Sequence, residues 1–343
     1  MYRLYSMLVP MLLLVFTVAG APAPVAAAGE VNIYSARQEA LIKPLLDRFT
    51  EQSGIKVNLV AGRPEALLQR LQSEGRNSPA DLLLTVDAGN LNQAMVAGVF
   101  QPVESAVLNE VIPVNLRDPE GHWFGLSQRA RVIIYAKDRF DPAGITSYAD
   151  LADPALGNKI CIRSSANVYN QSLVASRIAH LGVEATEEWV RGLMANLARP
   201  PRGGDRDQIR AVAAGQCDLA VVNTYYIGGM ANGSEADQDA VAATGLIWPD
   251  QEGYGTHINV SGAGVAKYAR NRDNAVKLLE FLVSEEAQSW YASANYEFPV
   301  RPGVELSDTL AAWGEFRADD LDLARLGEYN PEAVRLMDRA GWR

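Results

Sequence analysis

The sequence predicts an α/β protein of two domains, each built on a mostly parallel sheet, with a cleft between them. Three observations carry this. Short apolar runs alternate with stretches of helical spacing from residue 31 to residue 283. The chain has 343 residues, 48% of them apolar, which suits two domains with a sizeable core. No internal repeat, low-complexity tract or Pro/Gly/Ser-rich linker interrupts it, so the domains are expected to join through crossing strands.

The first residues stand outside the fold. Tyr2 and Arg3 give a weakly basic start, residues 7–18 are apolar with one proline, and Ala26, Ala27 and Ala28 offer small residues for cleavage. This reads as a secretory signal peptide over residues 1–28, too short and wrongly flanked for a membrane span. An exported, periplasmic protein beginning near Gly29 is expected.

The elements then follow in order. Residues 31–34 suit a strand. Residues 39–53 carry Leu41, Ile42, Leu45, Leu46 and Phe49 on one helical face, and Gly54 closes the helix. A strand over 55–60 precedes a helix over 64–75, with Pro64 in its first turn and Gly75 at its end. A strand over 81–85 precedes a helix over 88–97, ended by Gly98. A strand near 131–136 opens a second series: strand 159–162, helices 169–181, 184–197 and 205–215, then strand 219–222. Strands near 246–248 and 257–265 precede a helix over 273–283. The acidic run at Asp319, Asp320 and Asp322 reads as a solvated helix start.

The formal net charge of −10 argues against nucleic acid or an anionic membrane surface as partner. The two cysteines, Cys161 and Cys217, each sit at or just before a predicted strand; in an oxidising compartment they are expected to form one disulfide. Three histidines, His122, His180 and His257, are too few for a histidine-rich metal cluster and read as structural or surface residues. No nucleophile–base pair, Gly-rich phosphate loop or HExxH is present, so an enzyme is not expected. Trp248 and Tyr254 read as core or hinge aromatics.

The stretch LAVVNTYYIGG, residues 219–229, stands out. A buried strand ends in polar residues and turns into a helix, where α/β proteins place ligands. At such a turn the adjacent Tyr225 and Tyr226 can lean into one cleft. Phenol oxygens are hard donors once deprotonated. A tyrosine in water ionises only near pH about 10, so near neutral pH it does so only beside a strong positive charge such as a trivalent metal.

Five segments in order, VNIYSARQE (31–39), PADLLLTVDAGNL (79–91), GLSQRARVIIY (125–135), IRSSANVYNQSLVAS (162–176) and VVNTYYIGG (221–229), make the chain resemble the periplasmic ferric-ion-binding proteins that feed ABC iron importers. The resemblance implies a type II periplasmic-binding-protein fold. Its lobes would be 29–131 plus about 253–305, and 132–252 plus about 306–343. It implies Fe3+ held by Tyr169, Tyr225 and Tyr226, with a synergistic anion such as carbonate held by Arg129 and, more weakly, Ser165. Ser164, Ser165 and Asn167 are helix-capping types, which would put Tyr169 in a first helical turn near free backbone N–H groups. The sequence departs from some members in the N-terminal lobe. Gln38 and Glu39 stand where a histidine, or a histidine followed by tyrosine, supplies ligands, and Val86 followed by Asp87 stands where another branch has a glutamate. Gln38, Glu39 and Asp87 are therefore the remaining candidates for a further ligand, directly or through water; Tyr34 ends the first strand within reach of the cleft but reads first as a structural residue. The implied partner is an inner-membrane ABC permease, with the protein a monomer. The competing reading, in the same fold, is a binding protein for a polyamine, a phosphonate or a thiamine-like solute.

Overall fold

The computed structural model describes residues 29–343; the leader expected over 1–28 lies outside the described residues. The eight strands are β1 (Glu30–Ser35), β2 (Lys56–Ala61), β3 (Leu82–Thr85), β4 (Phe124–Ala136), β5 (Ile160–Cys161), β6 (Leu219–Asn223), β7 (Thr244–Ile247) and β8 (Ile258–Val265). They join in the order β2-β1-β3-β8-β4-β6-β5, with β7 also paired to β4.

β4 decides the shape. It is 13 residues long, far beyond the six expected, because apolar residues face both ways along it and nearly all are buried. Its first part, Phe124 to Ala130, pairs with β8. From Arg131 onward it pairs with β6 and β7 instead. The sheet thus has two halves, β2-β1-β3-β8 and β7-β4-β6-β5, that change over at Ala130 and Arg131. The chain returns between Ile247 and Ile258, where the Arg131 N–H donates to the His257 carbonyl at 2.9 Å.

A mostly parallel sheet was the expectation, and the structure corrects it. β1 is parallel to β2 and β3, and β5 to β6. β8 runs antiparallel to β3 and β4, and β4 to β6 and β7. Strands that cross between halves enter each one reversed, so antiparallel pairs gather where the halves meet.

Local boundaries shift for local reasons. The helix expected over 39–53 is a 3-10 turn, Glu39–Leu41, followed by a helix Lys43–Ser53. Ile42 takes φ −142° between them, and Pro44, which lacks an N–H, falls in the first turn of the new helix, where none is needed. Gly54 ends that helix at φ 72°, where it carries no Cβ penalty. The acidic run divides: Asp320 and Asp322 are exposed, and Asp322 accepts from the Ala324 N–H at 3.0 Å where the helix Ala324–Arg339 begins, whereas Asp319 is buried and accepts from Ser176 Oγ and His180 Nε2. That helix, Ala324–Arg339, packs on Val168–Leu181 from one half and Ala88–Val96 from the other.

Cys161 and Cys217 form a disulfide 56 residues apart in sequence, fastening β5 to the segment entering β6. Trp248 stacks on Phe316 at 4.1 Å, whereas Tyr254 is about half exposed and lies on His180 at 4.0 Å.

Candidate metal centre

The site begins where β6 ends. All five β6 residues are buried, and the helix Thr224–Ala231 starts at once. Thr224 anchors this junction, its Oγ1 accepting from the Ala130 N–H at 3.3 Å. Tyr225 and Tyr226 therefore occupy the first turn. Their rings lie 4.1 Å apart, tilted by 32°, and both line one cavity of about 410 Å³.

Tyr169 arrives from a second helix start. Asn167 caps Val168–Leu181 by accepting from the Tyr169 N–H at 3.1 Å. The cap fixes the first turn, and the Tyr169 hydroxyl reaches the Tyr225 hydroxyl at 3.2 Å. Three phenols from two helix starts thus share one cavity wall.

Cations surround them. The Arg129 guanidinium lies 5.2 Å from the Tyr169 ring centre, Arg163 lies 5.7 Å from it, and Arg206 lies 5.5 Å from that of Tyr226. Arg129 is buried and donates through Nη2 to the Val86 carbonyl, while its Nε and Nη1 have no protein acceptor. Buried donors of this kind are costly unless something accepts from them. Arg131, two residues on, points elsewhere, binding Asp205, Asn223 and Asn170.

Burial raises the Tyr169 phenol to about 12, against the lowering effect of Arg129. Burial, with Tyr169 and Tyr226 beside it, pushes Tyr225 well above 10. Both shifts favour the neutral phenol, and a strongly charged cation beside them would favour the phenolate.

The opposite wall is different. Arg37 and Glu297 form a buried ion pair at 2.6 Å. Arg37 also donates to Ser261 Oγ and the Leu41 carbonyl, and Ser127 Oγ donates to Glu297. Burial works against the charge of Arg37, and Glu297 outweighs it, leaving the guanidinium above its ordinary value. Glu297 is the one carboxylate on the cavity wall among the described residues, and it is already paired. Among the described residues no group of three His, Cys, Asp or Glu is placed to hold an ion. Phenol is the hard donor this site offers.

The other sequence candidates divide. Gln38 lines the cavity. Glu39 is exposed and off the cavity wall. Asp87 is buried as the cap of Ala88–Val96, off the cavity wall, accepting from Gly89 N–H, Ser172 Oγ and Asn259 Nδ2 at 2.7 to 2.8 Å. Burial raises its carboxyl despite the nearby Arg129. Tyr34 donates its hydroxyl to Glu74 at 2.7 Å, away from the cavity, in keeping with the structural role its place at the end of β1 suggested. Ser165 lies off the wall and accepts from Gln171 through its backbone. Sequence reasoning missed Arg37, Arg206, Tyr296 and Glu297. Arg37 lay inside a quoted segment, one residue before Gln38; the other three had no local signal.

Residues 34–289 match the bacterial extracellular solute-binding protein family. The chain belongs to this family. It is 48% identical to iron uptake protein A1 of Synechocystis sp. over 315 residues, covering 92% of this chain and 88% of that one. Its fold matches the Trichodesmium FutA structure in complex with iron and citrate ligands, with TM-score 0.88, 46% identity, and coverage of 92% of this chain and 100% of that one. A Bordetella ferric binding protein matches with TM-score 0.84 and 48% identity, over 91% and 99% of the two chains. These similarities extend to the whole two-lobed, type II binding-protein architecture.

Proposed function

We propose that the protein binds Fe3+ in the periplasm through the phenolates of Tyr169, Tyr225 and Tyr226 and hands it to an ABC permease. The observation that carries this reading is the meeting of three phenols from two helix starts on one cavity wall. Iron uptake and ferric-binding relatives that cover nine-tenths of the chain support it. A hard trivalent cation is matched by anionic oxygen. It supplies the charge that ionises phenols otherwise held neutral by burial, so binding releases protons. A synergistic anion, carbonate or a carboxylate, would accept from the open Nε and Nη1 donors of Arg129.

The lobe boundaries near residues 131, 253 and 305 are part of this reading, supported by the change of partners along β4 at Ala130 and Arg131. Closure of the lobes would exclude water, and release would follow opening, protonation, anion loss or reduction.

The test is metal loading of the stripped protein. Offered chelated Fe3+ and then desalted, it is expected to retain one iron per chain by elemental analysis. Calorimetry with a polyamine, a phosphonate and thiamine is expected to show no heat. Saturable binding of one of these, with no iron retained, would replace the ferric reading with the organic one.

A further inference from the structure

Tyr296 has a backbone that calls for a reason. Its φ is 56°, a region that bulky side chains rarely occupy and that native structures keep mainly at sites of function. It also lines the cavity that holds the three phenols.

Its chain neighbours are fastened to the β2-β1-β3-β8 half. Asn295 Nδ2 donates to the Leu41 carbonyl at 2.9 Å. Glu297 is paired with Arg37 at 2.6 Å. Phe298 and Gln128 of β4 exchange two backbone hydrogen bonds, at 2.8 and 2.9 Å. Held on both sides, residue 296 has little freedom to relax its backbone.

The Tyr296 side chain meets the other half. It lies on Gly228, within the helix Thr224–Ala231 that carries Tyr225 and Tyr226. A Cβ at Gly228 would stand 2.4 Å from the Tyr296 Cβ and 2.6 Å from its Cγ, closer than any real contact. Gly228 is three residues beyond Tyr225, so the two share a helix face. The absence of a side chain at 228 makes the seat, and the left-handed turn at 296 fills it.

We propose that Tyr296 is a latch. Its ring, seated on the bare backbone at Gly228, holds the two halves closed over the site and slows escape of the bound ion. It is a positioning residue, acting through packing and not through its hydroxyl. This rests on the ferric reading.

The experiment measures iron release to a strong competing chelator by stopped flow, after loading each variant, with the visible spectrum recorded beforehand. Tyr296→Phe keeps the ring and is expected to match the parent in rate and spectrum. Tyr296→Gly suits the positive φ and removes the knob; release is expected to quicken roughly tenfold with the spectrum unchanged. Gly228→Ala wedges the seat and should release faster still. Combining Gly228→Ala with Tyr296→Gly removes both partners of the clash, so the double variant should release no faster than Tyr296→Gly alone. Parental release from Tyr296→Gly, a shifted spectrum in Tyr296→Phe, or additive effects in the double variant would each overturn the latch. A parent protein that takes up no iron would instead overturn the ferric reading, and it shows before any variant is made.

Discussion

The two walls of the cleft use the same kinds of side chain in opposite ways. The wall built from Val168–Leu181 and Thr224–Ala231 presents three phenols to the cavity, with Tyr169 and Tyr225 joined hydroxyl to hydroxyl and arginines beside them. The facing wall presents Arg37, Glu297, Gln38 and Tyr296. There the charged groups satisfy one another, with Arg37 and Glu297 both under 5% exposed and bound to Ser261 and Ser127 as well. On the proposed reading the first wall changes its ionisation when the ion arrives and the second stays as it is. The difference teaches how one lobe could coordinate while its partner closes.

The largest expected effect breaks the first wall. Tyr169→Phe removes a donor without changing shape, and iron affinity is expected to fall by well over the roughly 100-fold that loss of an outer-shell partner costs. Competition against a chelator of known affinity measures it. The second effect breaks the facing wall. Glu297→Gln leaves Arg37 buried with its charge uncompensated, and the folded state is expected to lose about 3 kcal/mol in denaturant unfolding. Tyr169→Phe should leave that stability nearly unchanged, so the two variants separate ligation from scaffolding.

The third prediction concerns the place where the walls join. Burial, with Arg131 and Arg129 nearby, lowers the His257 imidazole to about 3. A folded-state value below the unfolded one means that the unfolded chain takes up the proton first. Stability from this residue is therefore whole above about pH 6.5 and lost as pH falls toward 3. His257→Asn is expected to flatten the thermal-midpoint profile across that window relative to the parent; parallel profiles would contradict it. The smallest effect is expected from Gln38→Ala, a change in iron affinity within about threefold, as for an exposed side chain without a tied partner. A larger loss would show that the facing wall coordinates after all.

Much of this was legible in the sequence, and the reasons are specific. The turn from β6 into its helix was readable because four buried apolar residues end abruptly at Asn223 and Thr224. Tyr169 was picked out by the resemblance, and its place in a first helical turn was readable because Asn167 is a strong cap, which sets that turn whatever lies around it. The disulfide followed from there being two cysteines in a chain expected to reach an oxidising compartment. What escaped depended on distance in sequence. Glu297 meets Arg37 across 260 residues and Tyr296 meets Gly228 across the cleft, and no local pattern encodes either. Asp87 depends on distance in the same way: an acid just before a helix is equally a cap or a ligand, and the cap contacts with Ser172 and Asn259, far along the chain, leave no local mark. The sheet was read as mostly parallel from its repeated strand–helix units with short links, and the change of partners along β4 at Arg131, which brings in the antiparallel pairs, leaves no mark on periodicity.

The central claim is that phenolates hold the ion. The direct measurement is a visible absorption titration of the stripped protein with chelated Fe3+, run beside Tyr225→Phe and Tyr226→Phe. Phenolate-to-iron charge transfer is expected to give a broad visible band that saturates at one iron per chain, weakened or shifted in both variants. Iron retained without such a band, or a band that both variants leave unchanged, would contradict the account and return the tyrosines to packing.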